Sequence, residues 1–505
     1  MSRRKKAVVR ALFTYGQSFL GMALGLFVTR VVLHQLGRDL YGLWIASGAL
    51  LAYAGLADLG VLGVLPWMIA DADGRQDPAR MKSLMSNSAV FASVSGVGFA
   101  AISGVLWLLY PAVLKLSASD QALLSGPIGV VVALTAVSFP LRVFGGLLTG
   151  LQDVTFLGAS SLLQLVLTGG LTLVITLAGY GLYGLAIGTA FPPLLIAIVW
   201  FVRARISYGP LLSHWPRPSS ALLRLLAVDG IGAWLAQLGL QIAAATDPVI
   251  LSYIGLRESV SSFSITTRLA LTLMQFGWIL PDAGLVGLAQ LAAEGPVGRV
   301  REIVIAVLRL NLLVSGAIAS AVLASNATFV RIWVGSDFFL GARFNAVLAA
   351  NVILLGIIHG LVTVASVLGK RLAVGVAFIA NGAAHVSFAL LLGHRIGVYG
   401  IVTATFVSGA ATCLPAGLLL AKPIVDLSVR DLAGEVIAPW LVRFAPLGLI
   451  ALTIGKVGER WPLPVLVMAC ASFGALYVWW MRPLYAGLPL GPTLTRWFRA
   501  LNLLA

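Results

Sequence analysis

Apolar stretches of membrane-spanning length recur fourteen times along this chain, with little sequence left between them. They run approximately over 11–33, 43–66, 84–110, 125–148, 156–178, 183–203, 225–246, 260–281, 303–324, 344–366, 372–393, 398–420, 438–455 and 463–481. A helix needs about 20 apolar residues to cross a bilayer. Backbone in hydrocarbon must satisfy its own hydrogen bonds, which restricts spanning segments to helices or closed barrels. Runs of this length predict helices, so the expected fold is an all-α polytopic membrane protein with about 14 transmembrane helices. Composition agrees: 59% of the 505 residues are hydrophobic and 10% are charged, against roughly 25% charged in a soluble domain.

The first twelve stretches fall into two halves that rhyme. Leu36-Gly37 recurs as Ile254-Gly255, Leu65-Pro66 as Leu280-Pro281, and Tyr183-Gly184 as Tyr399-Gly400, at offsets of 218, 215 and 216 residues. Gly150 has a fourth echo in Gly369. Six helices per half is an even number, so both copies start on the same side and the repeat is parallel, its axis along the membrane normal. The expected organisation is an N-terminal six-helix lobe over 1–215 and a C-terminal one over 216–422. A third part over 423–505 holds an amphipathic segment from Asp426 to Glu435, helices 13 and 14, and a cytoplasmic tail. The segment from Arg203 to Arg224, rich in Pro, Ser and Arg, joins the lobes.

A net charge of +16 could belong to a nucleic-acid binder, and its placement argues otherwise. With the N-terminus inside, 21 of the 34 Lys and Arg fall on the inner side and 8 on the outer side. That bias puts both termini in the cytoplasm by the positive-inside rule. The charge is a topology signal, and nucleic acid is not an expected partner. The basic run Arg3-Arg4-Lys5-Lys6 precedes a stretch long enough to span, with no small-residue cleavage site after it, so a retained first helix is expected. Cys413 and Cys470 fall inside spans and have no metal-ligand spacing. Motifs for metalloprotease, nucleotide-loop or dithiol chemistry are missing from the sequence, so neither a catalytic centre nor a metal is expected.

Ionisable residues at membrane depth cost at least about 2.5–3.5 kcal/mol and face protein or a water-filled cavity. In the eighth stretch Ser261, Ser264, Arg268, Thr272, Gln275 and Asp282 recur at spacings of three, four and seven, a polar stripe on one helix face. Two further stripes accompany it: Asp229, Ala233, Gln237 and Gln241 in the seventh stretch, and Ser160, Gln164, Thr168, Thr172 and Thr176 in the fifth. Such stripes either line a cavity or form interhelical hydrogen-bond seams; Arg268 favours the cavity. Arg142 lies beside Pro140 with Gly145, Gly146 and Thr149 on its side, and Asp58 lies next to Gly55 and Gly60 at similar depth. The two form a buried lock, hold separate functional roles, or share a depth only by the way the spans are assigned. Arg30, Arg309 and Arg443 lie near span ends, where snorkelling accounts for the latter two. His359, Asn381 and His385 are expected to hydrogen-bond between helices.

Arginine binds phosphate bidentately and stays charged at any physiological pH. Arg30, Arg142 and Arg268, with Gln164, Gln237, Gln241, Thr272 and Gln275 around them, suit an anionic, hydroxyl-rich substrate such as a sugar pyrophosphate on a lipid. Asp58, Asp229 and Asp282 are the candidate ion-coupling or gating carboxylates for H⁺ or Na⁺, and no other cofactor is expected.

These residues also carry a resemblance. Arg30 through Leu36-Gly37 to Tyr41-Gly42-Leu43-Trp44, Ala57-Asp58-Leu59-Gly60, Ser264-Ile265-Thr266-Thr267-Arg268-Leu269 with the later Pro281, and Gly397-Val398-Tyr399-Gly400 together resemble the polysaccharide flippases of the multidrug/oligosaccharidyl-lipid/polysaccharide exporter superfamily, over roughly residues 10–420. The resemblance implies two six-helix lobes in a V and alternating access. It also implies export of undecaprenyl-pyrophosphate-linked oligosaccharides across a bacterial inner membrane for O-antigen, capsule or exopolysaccharide. Ser264 stands where that family often has tyrosine. The lipid-linked oligosaccharide and membrane lipid are then the expected partners, with other polysaccharide-assembly proteins as candidates. A multidrug or small-solute cation antiporter on the same fold is the alternative, and an integral membrane enzyme is disfavoured because no external loop is long enough to hold an acceptor.

Overall fold

The computed structural model describes residues 3–283, 297–458, 460–485 and 488, which are helical throughout with short connections and no strand. All fourteen apolar stretches are helical. By length and apolarity, eleven helices among the described residues can cross a membrane, or twelve if a bent pair in the seventh stretch is one span. The first two stretches count once because they run together over Tyr15–Gly74. The eighth falls short because its Ser, Thr, Gln and Arg lower its mean hydropathy.

The chain divides into two compact units, Met1–Gln241 and Ile242–Ala505. The first contains α1 (Arg3–Leu51), α2 (Val61–Gly74), α3 (Pro78–Val113), α4 (Ala118–Ser138), α5 (Arg142–Gly150), α6 (Val154–Leu177) and α7 (Leu182–Ser207), and the division falls inside α8 (Ser220–Ala245). The second contains α9 (Asp247–Tyr253), α10 (Ser259–Gly277), α11 (Ile279–Ala283), α12 (Val297–Trp333), α13 (Ala342–Val367), α14 (Arg371–Ile396), α15 (Val398–Ala411) and α16 (Cys413–Val425). A π-helical stretch, Leu432–Ile437, then leads into α17 (Ala438–Gly458) and α18 (Leu463–Trp480).

The rhyme is written in the backbone. Gly37 and Gly255 have φ of 78° and 85°, and Gly181 and Gly397 have 56° and 66°, a region L side chains enter only at a cost. Three hydrogen bonds close α5: Leu151 N to Leu147 O, Gln152 N to Thr149 O and Asp153 N to Leu148 O. At an offset of 217 residues the same three bonds close α13: Leu368 N to Val364 O, Gly369 N to Ser366 O and Lys370 N to Ala365 O. This is one C-capping loop used twice. The counterpart of Gly369 is therefore Gln152 (φ 57°) and not Gly150.

Packing repeats as well. A Cβ on Gly184 would lie 2.2 Å from Thr176 Oγ1, and one on Gly400 would lie 2.3 Å from the Leu392 backbone, so the α6–α7 and α14–α15 hairpins cross at equivalent residues. One crossing exchanges its partners. Gly145 on α5 receives the Trp200 ring of α7, whereas in the second unit Leu361 on α13 fills the space over Gly417 on α16.

Breaks fall near prolines, as loss of an intrahelical bond and ring clash require. Gly60 opens α2 six residues before Pro66, and Gly277 ends α10 four residues before Pro281. Phe139-Pro140-Leu141 breaks the fourth stretch as a 3₁₀ turn, and Thr412 breaks the twelfth before Pro415. The segment joining the halves is anchored within the first unit: Ser86 Oγ donates to Pro216 O (2.8 Å), Ser219 N donates to Asn87 Oδ1 (2.9 Å), and Arg203 pairs with Asp153 (2.9 Å).

The two helices beyond the repeat pack on α12. Trp440 and Tyr477 close over Gly316, Tyr477 OH donates to Leu313 O (2.7 Å), and Gly455 meets the Leu323 carbonyl. Arg301 on α12 pairs with Glu435 (2.7 Å) and Asp431 (3.5 Å), and Arg309 Nε donates to Glu435 O (3.0 Å). The predicted amphipathic segment is thus clamped to α12 by its acidic face.

Candidate functional site

In the second unit, α10 separates its polar residues by face. Ser261, Thr266 and Thr267 are buried, whereas Arg268, Leu271 and Gln275 are exposed with Ser264 and Thr272 half-buried beside them. Thr266 is a structural knot. Its Oγ1 donates to Phe338 O (2.9 Å) and accepts from Leu340 N (3.2 Å), while its carbonyl accepts from Asn326 Nδ2 (2.9 Å). Asn326 Nδ2 also reaches Asn345 Oδ1 (2.8 Å), and Asn345 Nδ2 returns to Val322 O (2.9 Å). The knot fixes α10 against α12 and α13, and with it the direction of Arg268. An arginine and a glutamine at membrane depth are costly against acyl chains, and both lie on the exposed face of α10.

Asp282 is brought together with a residue read as a simple hydrogen-bonder. His359 Nε2 lies 2.9 Å from Asp282 Oδ1, and the imidazole stacks on Trp278 at 4.2 Å between centroids. The Asp282 and His359 side chains are 43% and 21% exposed, so this pair lies at the surface of its unit. A second carboxylate–imidazole pair is sealed: His385 Nε2 lies 2.7 Å from Asp247 Oδ1, with side chains 1% and 9% exposed. Asp247 escaped the sequence reading because the seventh stretch was ended at 246. Pro248 directly after it was the available signal, since a proline just inside a helix start marks the break that sets Asp247 at the head of α9. Asn381, on the same face of α14 as His385, instead accepts from Thr412 Oγ1 (3.0 Å).

In the first unit Asp58 ends a 3₁₀ turn, Ala54–Asp58, and its Oδ1 accepts from Gly60 N (3.2 Å), stapling the break before α2. The Arg142 guanidinium lies over the Phe139 ring at 4.2 Å. No ion pair joins Asp58 and Arg142 among the described residues. Trp234 Nε1 donates to Leu56 O (2.7 Å), docking α8 onto the same turn. On α8, Gln237 is exposed and Gln241 half-buried, and the side chains of Asp229 and Ala233 lie outside the described residues. Arg30 is exposed and Gln164 half-buried. The rest of the fifth-stretch stripe is a packing seam: Ser160 Oγ accepts from Trp200 Nε1 (2.8 Å), and Thr172 and Thr176 sit under Gly188 and Gly184.

Solved structures with the same arrangement of helices are transporters. An inward-facing multidrug resistance MATE family transporter of the MOP superfamily superposes with a TM-score of 0.63 at 16% identity, over 84% of this chain and 100% of that one. The lipid II flippase MurJ, in an inward closed conformation, gives 0.60 at 11% identity over 98% of this chain and 100% of that one. An outward-facing MATE family transporter gives 0.57 at 16% identity over 82% and 96%. The chain has the fold of the MOP-superfamily transporters. No family model matches the sequence, and no curated protein does. Within that fold, the exposed cation of α10 and the partly exposed Asp282–His359 pair are two polar features of the second unit's surface among the described residues.

Proposed function

We propose that this chain is a MOP-superfamily flippase for lipid-linked oligosaccharides. It moves undecaprenyl-pyrophosphate-linked units from the cytoplasmic to the outer leaflet of a bacterial inner membrane, by alternating access and with no covalent step. The product is surface polysaccharide: O-antigen, capsule or exopolysaccharide. The observation that carries the reading is the exposed face of α10, where Arg268 stands among Ser264, Thr272 and Gln275. Arginine pairs with the pyrophosphate, hydroxyl and amide groups bond the sugars, and the polyprenyl tail remains in lipid. Arg30, Arg142, Gln164, Gln237 and Gln241 are the further groups proposed to meet this cargo. The likeness to the flippase extends over 98% of this chain, against 84% for the inward-facing multidrug transporter.

Coupling is assigned to a cation, with Asp58, Asp229 and Asp282 as candidate carboxylates. Asp282 is favoured because it is paired with His359 at the surface of the second unit. The positive-inside bias supports both termini in the cytoplasm.

Deletion in cells tests the reading. Unflipped lipid-linked precursor is expected to accumulate, wild-type protein to clear it, and Arg268→Ala to leave it uncleared. Accumulation of flipped but unpolymerised units would refute flipping. The drug antiporter is the competing activity; an exposed arginine opposes cationic drugs, and the deletion is expected to leave drug susceptibility unchanged.

A further inference from the structure

The helices beyond the repeat carry a polar feature that cargo binding does not use. α17 and α18 are antiparallel, so the start of one and the end of the other share an end of the hairpin. Arg443 lies in the second turn of α17, and Arg482 follows α18 directly. Side chains on a helix tilt toward its N-terminus, and Arg443 accordingly reaches back to donate to Pro439 O (3.3 Å). Two tryptophans link the arginines. Trp480 Nε1 donates to Arg443 O (3.2 Å), Trp479 and Trp480 lie 6.3 Å apart between ring centroids, and the Arg482 guanidinium lies 5.0 Å over the Trp479 ring. The turn that presents Arg482 is fixed by Tyr485, whose hydroxyl donates to Val478 O (2.8 Å).

The neighbouring charges are spent. Arg301 neutralises Asp431 and Glu435, and Arg309 is bonded to the Glu435 carbonyl. Neither Arg443 nor Arg482 is in an ion pair among the described residues; Arg482 is exposed and Arg443 half-buried. Around them Val442 is 73%, Leu441 50%, Trp479 49% and Trp480 43% exposed. Two unneutralised guanidinium groups, one over an indole and the other on the residue whose carbonyl the second indole bonds, beside exposed aliphatic side chains, match a molecule with an anionic head and apolar tails. Indoles settle at the headgroup level of a bilayer, and anionic lipids attract arginine there.

We propose that Arg443, Arg482, Trp479 and Trp480 form a binding site for the phosphodiester headgroup of an anionic phospholipid, whose acyl chains lie against Leu441 and Val442. The site would hold a resident lipid at the C-terminal hairpin, separate from the cargo face of α10.

Native mass spectrometry of the full-length protein, loaded with equal phosphatidylglycerol and phosphatidylcholine, tests this. Wild type is expected to retain phosphatidylglycerol preferentially. Arg443→Gln and Arg482→Gln should each reduce that preference roughly fivefold, and the double variant roughly 25-fold. The double Lys variant should keep most of it, which separates loss of charge from loss of fold. Arg430→Gln, exposed near the same end but off the indole pair, should leave it unchanged. The proposal is overturned if the double Gln variant keeps the preference, or if Arg430→Gln loses as much. Displacement of the lipid by excess inorganic phosphate would also overturn it, by making the site one for free phosphate.

Discussion

Arg268 and Thr266 lie two residues apart on α10 and do opposite work. Thr266 is fully buried and holds three hydrogen bonds that join α10 to the Ser336–Phe338 turn and to α12; Arg268 projects from the other side with no ion pair among the described residues. Thr266→Ala is expected to destabilise the protein by about 1–3 kcal/mol, because Leu340 N loses its acceptor in a partly buried setting. Arg268→Ala should change stability by no more than about 0.5 kcal/mol, the usual range for exposed sites. Thermal unfolding in detergent checks both: equal losses would mean that Arg268 is a packing residue. The sequence marked Ser264 to Leu269 as one motif. Its division into a knot and a cation was not legible, because Thr266 acquires its role from Asn326 and Phe338, 60 and 72 residues away.

Between elements, the crossing of the fourth and sixth stretches shows how the duplicated scaffold diverged. Gly145 and Trp200 occupy one copy, and Leu361 and Gly417 the equivalent places in the other. Large and small have exchanged sides while the space between helices stayed filled, as close packing demands. Gly417→Trp alone should be strongly destabilising through overpacking, by about 1–3 kcal/mol. Adding Leu361→Gly should recover a large part, giving a coupling of about 0.5–3 kcal/mol in the double-mutant cycle. Additive losses would show that the two crossings are not equivalent. Pattern reading finds glycines, and it does not reveal which ring or methyl each accepts. The caps on α5 and α13 teach the same caution: a residue-type echo paired Gly150 with Gly369, whereas hydrogen bonding pairs Gln152 with Gly369.

At the scale of the molecule, the C-terminal hairpin is built into the second unit. Removing the chain after Val425 would strip Tyr477 from the Leu313 carbonyl, Trp440 from Gly316, and Glu435 and Asp431 from Arg301. Such a truncation is expected to lower expression and melting temperature well beyond any single substitution above, although helices one to twelve are intact. A truncated protein as stable as the full chain would make the hairpin an independent appendage.

An all-helical membrane fold and a repeat near 217 residues were legible in the sequence, because apolar length and positive-φ glycines are local properties that each stretch carries alone. Arg268, Asp282 and His385 were also visible as groups too polar for lipid. What they touch was decided only by tertiary structure. Asp247 meets His385 across 138 residues and His359 meets Asp282 across 77, and nothing in their spacing could pair them. Asp58 and Arg142, which depth placed together, form no ion pair; the 3₁₀ breaks at 54–58 and 139–141 turn one toward Gly60 and the other over Phe139. Periodicity along a helix fixes which face a residue occupies, and only the packing of helices fixes what that face meets.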